Sequence, residues 1–218
     1  MQLGEDTITM SMTLNPVNEA AFQKAVQSLE TLNRAAVFHP TGTGKSCIAW
    51  KVVEAHPQTT FFWLVAGAQR LALRQAELTR YNGGTLPGNV RFCDCEKLAA
   101  ATPEQWVRLG EQKPGCVVLD CYHELSAVCW AQSVQKLLRM CPQAKVLGLG
   151  VPNGAPVCAA AQELFADCIV SHMTVAEAMA AGTMPVPSAY AALLWPQEEE
   201  LATLRARIKN LCMPKGDT

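Results

Sequence analysis

The stretch Phe38-His39-Pro40-Thr41-Gly42-Thr43-Gly44-Lys45-Ser46 follows the apolar run Ala35-Ala36-Val37-Phe38 and precedes an unbroken, mostly apolar segment from Ser46 to Glu54. A short apolar run feeding a Gly-rich turn reads as a buried strand, and the segment after it as a helix. Strand, Gly-rich turn and helix in that order form the context in which G-K-[ST] binds phosphate. Gly42 and Gly44 allow backbone angles at which successive N–H groups converge on an anion. The helix start adds partial positive charge. Lys45 supplies a point charge for the terminal phosphates, and the Ser46 hydroxyl is of the type that ligates Mg²⁺. Thr41, Gly42, Thr43, Gly44, Lys45 and Ser46 are therefore the candidate nucleotide-binding residues, with His39 standing where the general pattern has Gly.

Outward from this loop, strand and helix patterns alternate. Asn15-Pro16 caps a helix running to about Leu32. After the loop come a strand at Thr60–Val65, a helix at Ala68–Tyr81 closed by Asn82-Gly83-Gly84, and a short strand at Val90–Phe92. Thr102-Pro103-Glu104-Gln105 caps another helix. Cys116–Asp120 is a strand, Ala127–Met140 a helix, Lys145–Leu149 a strand and Ile169-Val170 a last short strand. Thr174-Val175-Ala176-Glu177 is a capping box for a helix ending near Gly182. Glu198–Leu211 reads as a final amphipathic helix. Continuous apolar strands between helices predict an α/β fold, a mostly parallel sheet with helices on both faces. The expected organisation is a tail over 1–14, one domain over 15–190, and a C-terminal helix and tail over 191–218.

Composition narrows the function classes. The 218 residues are 50% hydrophobic and 17% charged, enough to bury a core and too apolar for a disordered chain. Lys+Arg is 18 against Asp+Glu 19, a net charge of -1, which excludes a strongly basic nucleic-acid wrapper but not a local basic groove. Apolar runs such as Cys116–Leu119 fall far short of the ~20 residues a spanning helix needs. No basic segment followed by an apolar one opens the chain, so no membrane partner is expected and the expected compartment is the cytoplasm. None of the ten cysteines forms a C-x-x-C pair, and Cys93-Asp94-Cys95 is a lone C-x-C, so the thiols read as small, reduced side chains.

The strand Cys116-Val117-Val118-Leu119-Asp120 ends in the acid that a phosphate-loop enzyme needs for its metal. Asp120 and Ser46 are the candidate Mg²⁺ ligands. Hydrolysis also needs a group to position water, yet Cys121 follows Asp120, and a thiol is mostly neutral near pH 7. Glu124 lies one turn on at a different offset. His123 is the residue expected to link the nucleotide site to neighbouring loops, and with Asp120 it forms the candidate catalytic pair.

The chain resembles the first RecA-like domain of a superfamily 2 helicase, of the DEAD/DEAH-like or restriction-subunit type. His39–Ser46 is similar to motif I in its helicase form, and Val118-Leu119-Asp120-Cys121-Tyr122-His123 to the D-E-x-H box. Ala144–Leu149 resembles the strand into motif III. Glu163-Leu164-Phe165, with Met173–Ala178 and Gly182, resembles the segment that closes the domain, so the likeness spans about 15–190. It implies a three-layer P-loop NTPase fold, with ATP and Mg²⁺ as ligands.

The departures also carry information. The Glu of motif II is Cys121, the S-A-T of motif III reads Gly150-Val151-Pro152, and Val65-Ala66-Gly67-Ala68 lacks the hydroxyl of motif Ia. Too few residues follow Tyr190 for a second RecA-like domain, so a second chain is the expected source of one. Loss of a general base costs about 10²-fold or more, and loss of an arginine finger about 10³–10⁵-fold. The expectation is an ATP-binding domain with little or no hydrolysis or unwinding. The alternatives are a DNA-stimulated ATPase fragment working with a second chain, a small-molecule kinase, and an interaction module whose loop binds nothing. Arg70, Arg74 and Arg80, with Arg91 further on, read equally as a solvated helix face and as a weak, salt-sensitive contact to single- or double-stranded DNA.

Overall fold

The computed structural model describes residues 12–120, 122, 128, 130–152, 163–186 and 198–212. Its compact units are Met1–Pro185 and Val186–Thr218, and each is taken by itself.

The first unit holds α1 (Pro16–Thr31), β1 (Arg34–Phe38), α2 (Lys45–Ala55), β2 (Phe61–Val65), α3 (Ala68–Tyr81), β3 (Val90–Asp94), α4 (Cys95–Ala99), α5 (Pro103–Glu111), β4 (Cys116–Asp120), α6 (Lys136–Met140), β5 (Lys145–Gly150), β6 (Ile169–His172) and α7 (Val175–Ala180). The six strands form one sheet in the order β3-β2-β4-β5-β1-β6, and every pairing is parallel. The fold is α/β and three-layered, as the sequence predicts. Strand alternation divides the core. Phe61, Trp63, Val65, Val118, Leu147 and Val37 pack with Ile48, Val52 and Leu29 on the face covered by α1 and α2. Phe62, Leu64, Val117, Leu119 and Ala36 pack with Trp106, Leu137 and Phe165 on the other. This is the period-2 geometry of a strand buried on both sides.

The predicted caps form. Asn15 Oδ1 accepts the Asn18 amide at 2.9 Å. Capping boxes close on Thr102 and Gln105 at the start of α5, and on Thr174 and Glu177 at the start of α7. One helix differs from expectation. Instead of a continuous α-helix to Met140, residues Trp130–Gln135 are π-helical and α6 begins only at Lys136. The wider turn lets the neighbours Ser133 and Val134 both bury, and Ser133 Oγ donates to the Cys95 carbonyl at 2.6 Å.

Register aligns the carboxy-terminal strand ends. Asp120 pairs with Leu149, and Leu149 with Val37. The His39 amide then donates to the Gly150 carbonyl. The loop after β1 and the acid of β4 thus share one sheet edge with β5 between them, about 10 Å apart by strand spacing. Ligands in open parallel sheets bind at this edge.

In the second unit, α8 (Glu198–Cys212) carries Leu201, Leu204 and Ile208 at helical spacing, all exposed.

Candidate nucleotide site

The loop between β1 and α2 keeps the geometry its glycines suggest. Gly42 and Gly44 have φ of +88° and +89°, the left-handed region that side chains other than glycine enter at a cost. Gly44 is the N-cap of α2, so the amides of the first turn open onto the loop, where a helix has no carbonyls of its own to offer them. A Cβ at Gly44 would lie 2.8 Å from Asn18 Nδ2, whereas one at Gly42 would meet nothing within 4 Å. Asn18, from α1, donates to the Thr43 carbonyl at 2.8 Å and braces the loop from below. Nothing in the sequence pattern singled Asn18 out, because its contact spans 25 positions.

Lys45 is buried and its Nζ donates to the carbonyls of His39 and Pro40 at 2.8 and 2.9 Å. Thr43 Oγ1 donates to the same Pro40 carbonyl at 2.8 Å. The loop therefore closes on its own ammonium group. Thr41 and Gly42 are exposed, and Ser46 is half-buried. His39 is fully buried. Its Nε2 meets Ser171 Oγ of β6 at 2.8 Å, and its Nδ1 has no partner among the described residues. Burial, then the positive charges of Lys45 and His172, push its pKa down to about 4, so the ring is neutral at physiological pH.

Asp120, the candidate Mg²⁺ ligand, already has partners of its own. It is 3% exposed. Its Oδ2 accepts from Trp63 Nε1 at 3.2 Å and from Arg74 Nε at 2.5 Å. Arg74 also pairs with Glu77, one turn along α3. Burial on its own would lower the Arg74 pKa, but the charges of Asp120 and Glu77 and the hydrogen bonds to both outweigh it and raise the pKa. The strand alternation that buries Val118 against α2 turns Asp120 to the same face, where α3 passes.

An Mg²⁺ ion at Ser46 and Asp120 would stand against the Arg74 guanidinium. A like charge already in contact with the one acidic ligand makes this donor pair a poor fit for a divalent cation as arranged.

His123, Cys121 and Glu124 lie outside the described residues, so the candidate pair Asp120 and His123 is placed at Asp120 only. Tyr122 is buried between Phe38 (ring centroids 5.7 Å, near-perpendicular) and Phe165 (5.0 Å). The three rings press on β5 where it lacks side chains, at Gly148 and Gly150. Among the arginines, Arg74 is committed to Asp120, Arg80 lies over the Tyr81 ring, and Arg91 donates to the Gly88 carbonyl. Cys93 is largely buried, which pushes its thiol up to about 11, and the described residues hold no cluster of His, Cys, Asp and Glu that could bind a metal. No helix among them is long and apolar enough to cross a membrane.

No family model matches the chain, and no curated protein matches it. Among solved structures, it is similar to the ATP-dependent Type ISP restriction-modification enzyme LlaBIII bound to DNA, with a TM-score of 0.54 over 78% of this chain and 12% identity. The chain spans 16% of that enzyme's length. The likeness is one of fold, and with the parallel sheet and the loop after β1 it gives the chain a RecA-like P-loop architecture.

Proposed function

We propose that the chain is a helicase-like, nucleotide-binding domain that holds the triphosphate of ATP in the loop 41–46 and hydrolyses it little or not at all. The observation that carries this is the loop itself. Two left-handed glycines, a helix start and a buried lysine converge at the carboxy-terminal edge of the sheet. Lys45 donates to two carbonyls of its own loop, which a phosphate replaces readily because an ammonium group bonds a charged acceptor more strongly than a neutral one. Thr43, Gly44 and Asn18 hold the loop in register while that exchange occurs.

The same site is poorly equipped for chemical turnover. Cys121 supplies no carboxylate beside Asp120, and Arg74 holds the oxygen that would otherwise face a metal ion or water. DNA is the polymer to test, since the similar enzyme was solved bound to it. Arg74, one of the candidate DNA contacts, points instead to the carboxylate.

Titration with a fluorescent ATP analogue tests the loop. Binding should be saturable and weaken by about 10–100-fold in Lys45→Ala, the worth of a hydrogen bond from a charged donor. Phosphate release should stay at background with or without single-stranded DNA. Turnover that DNA stimulates and Lys45→Ala abolishes would replace this reading with an active ATPase.

A further inference from the structure

We infer that Arg74 is the built-in counter-cation of Asp120, so that the site takes the nucleotide as the free polyanion and is indifferent to divalent metal. The inference rests on the triphosphate reading of the loop and goes beyond it to the ionic form of the ligand.

In a phosphate site with a bare carboxylate nearby, the acid repels the phosphates unless a cation stands between them, and Mg²⁺ usually does so through one or two carboxylates plus the phosphates themselves. Here the carboxylate at the end of β4 is buried and already paired. Arg74 Nε lies 2.5 Å from Asp120 Oδ2, and Trp63 Nε1 donates to the same oxygen. A guanidinium stays charged at any pH the fold survives, and the two acids flanking it, Asp120 and Glu77, favour that state. A metal ion arriving at Asp120 would gain little attraction from a paired carboxylate and would meet the repulsion of Arg74. The phosphates, for their part, approach a carboxylate already paired with a guanidinium, the surplus negative charge lying with the more exposed Glu77. Arg74 is also held from two sides, by Glu77 on its own helix and Asp120 on β4.

The experiment is the same nucleotide titration on the full chain, run in EDTA and in excess Mg²⁺, for wild type, Arg74→Ala, Arg74→Lys and Lys45→Ala. Wild type should bind within about twofold under both conditions, well under usual coupling. Arg74→Ala should become metal-dependent, with Mg²⁺ tightening binding by about 5–150-fold, the usual span of coupling between two ligands. Arg74→Lys keeps a positive charge and should remain indifferent, which a purely architectural role for Arg74 does not predict. Wild type that requires Mg²⁺, or Arg74→Ala that gains no dependence on it, overturns the inference while leaving nucleotide binding intact. If wild type binds no better than Lys45→Ala in either condition, the loop reading itself has failed and the inference falls with it. Should Arg74→Ala not fold, Arg74→Gln, closer in reach, replaces it, and the wild-type pair of titrations decides against the inference on its own.

Discussion

The loop after β1 and the end of β4 lie on one sheet edge, and both hold a charged side chain that is already satisfied, but by different means. Lys45 is satisfied by neutral carbonyls of its own loop. Asp120 is satisfied by a full opposite charge from another helix. A neutral acceptor yields to an incoming phosphate, whereas an ion pair shielded from water yields only to a partner that replaces a whole charge. The first charge rests on groups an anion can displace and the second is already paired, and in the function proposed above that is the contrast between binding and turnover.

The largest effect should come from the ion pair. Arg74→Met leaves Asp120 buried without its partner and should cost about 3–5 kcal/mol of stability. Adding Asp120→Asn to it should recover part of that loss, with a coupling energy in the range of about 0.5–3 kcal/mol read from denaturant midpoints in a double-mutant cycle. Additive losses would mean that the pair is incidental. On the loop side, Gly44→Ala and Gly42→Ala share the same backbone penalty, about 1–2 kcal/mol for the left-handed region. Only at Gly44 does the new methyl meet Asn18, so that variant should lose about 1–3 kcal/mol more to overpacking and melt at the lower temperature. Equal losses at the two glycines would remove Asn18 from its bracing role.

A smaller effect tests the buried histidine under the loop. His39 binds its proton only near pH 4 when folded and near its ordinary 6.5 when unfolded, so the unfolded chain takes up more protons in between. Stability should be level above pH 6.5 and decline as the pH falls from 6.5 to about 4, by roughly 2 kcal/mol once solvent screening is allowed for. His39→Asn, which has no proton to gain, should flatten that part of the profile.

Much of this was legible from the chain alone. Apolar runs flanked by turn residues located the strands to within a residue or two, because a parallel sheet buried on both faces leaves little room for polar residues. The caps at Asn15, Thr102 and Thr174 are local chemistry and were readable as such. The glycine-lysine loop was readable because its function depends on neighbours in sequence. The Arg74 contact to Asp120 spans 46 positions, and an arginine on a helix reads first as a solvent-facing charge. Its burial is set by α3 packing on β2 and β3 beside β4, a property of the sheet order. The π-helical turn was hidden for a similar reason, since Ser133 follows a carbonyl 38 positions away.

Helix α3 is 14 residues long with Leu78 as its one fully buried residue, whereas α2 buries six of its 11. Half-buried Leu71 and Tyr81 join Leu78 on the core side, and the Arg74–Asp120 pair supplies the charged part of the hold. Among native-state fluctuations, a thinly greased helix is among the first to lift, and its departure would strip the guanidinium from the carboxylate. The accessibility of that acid to solvent is then a property of how often one helix breathes.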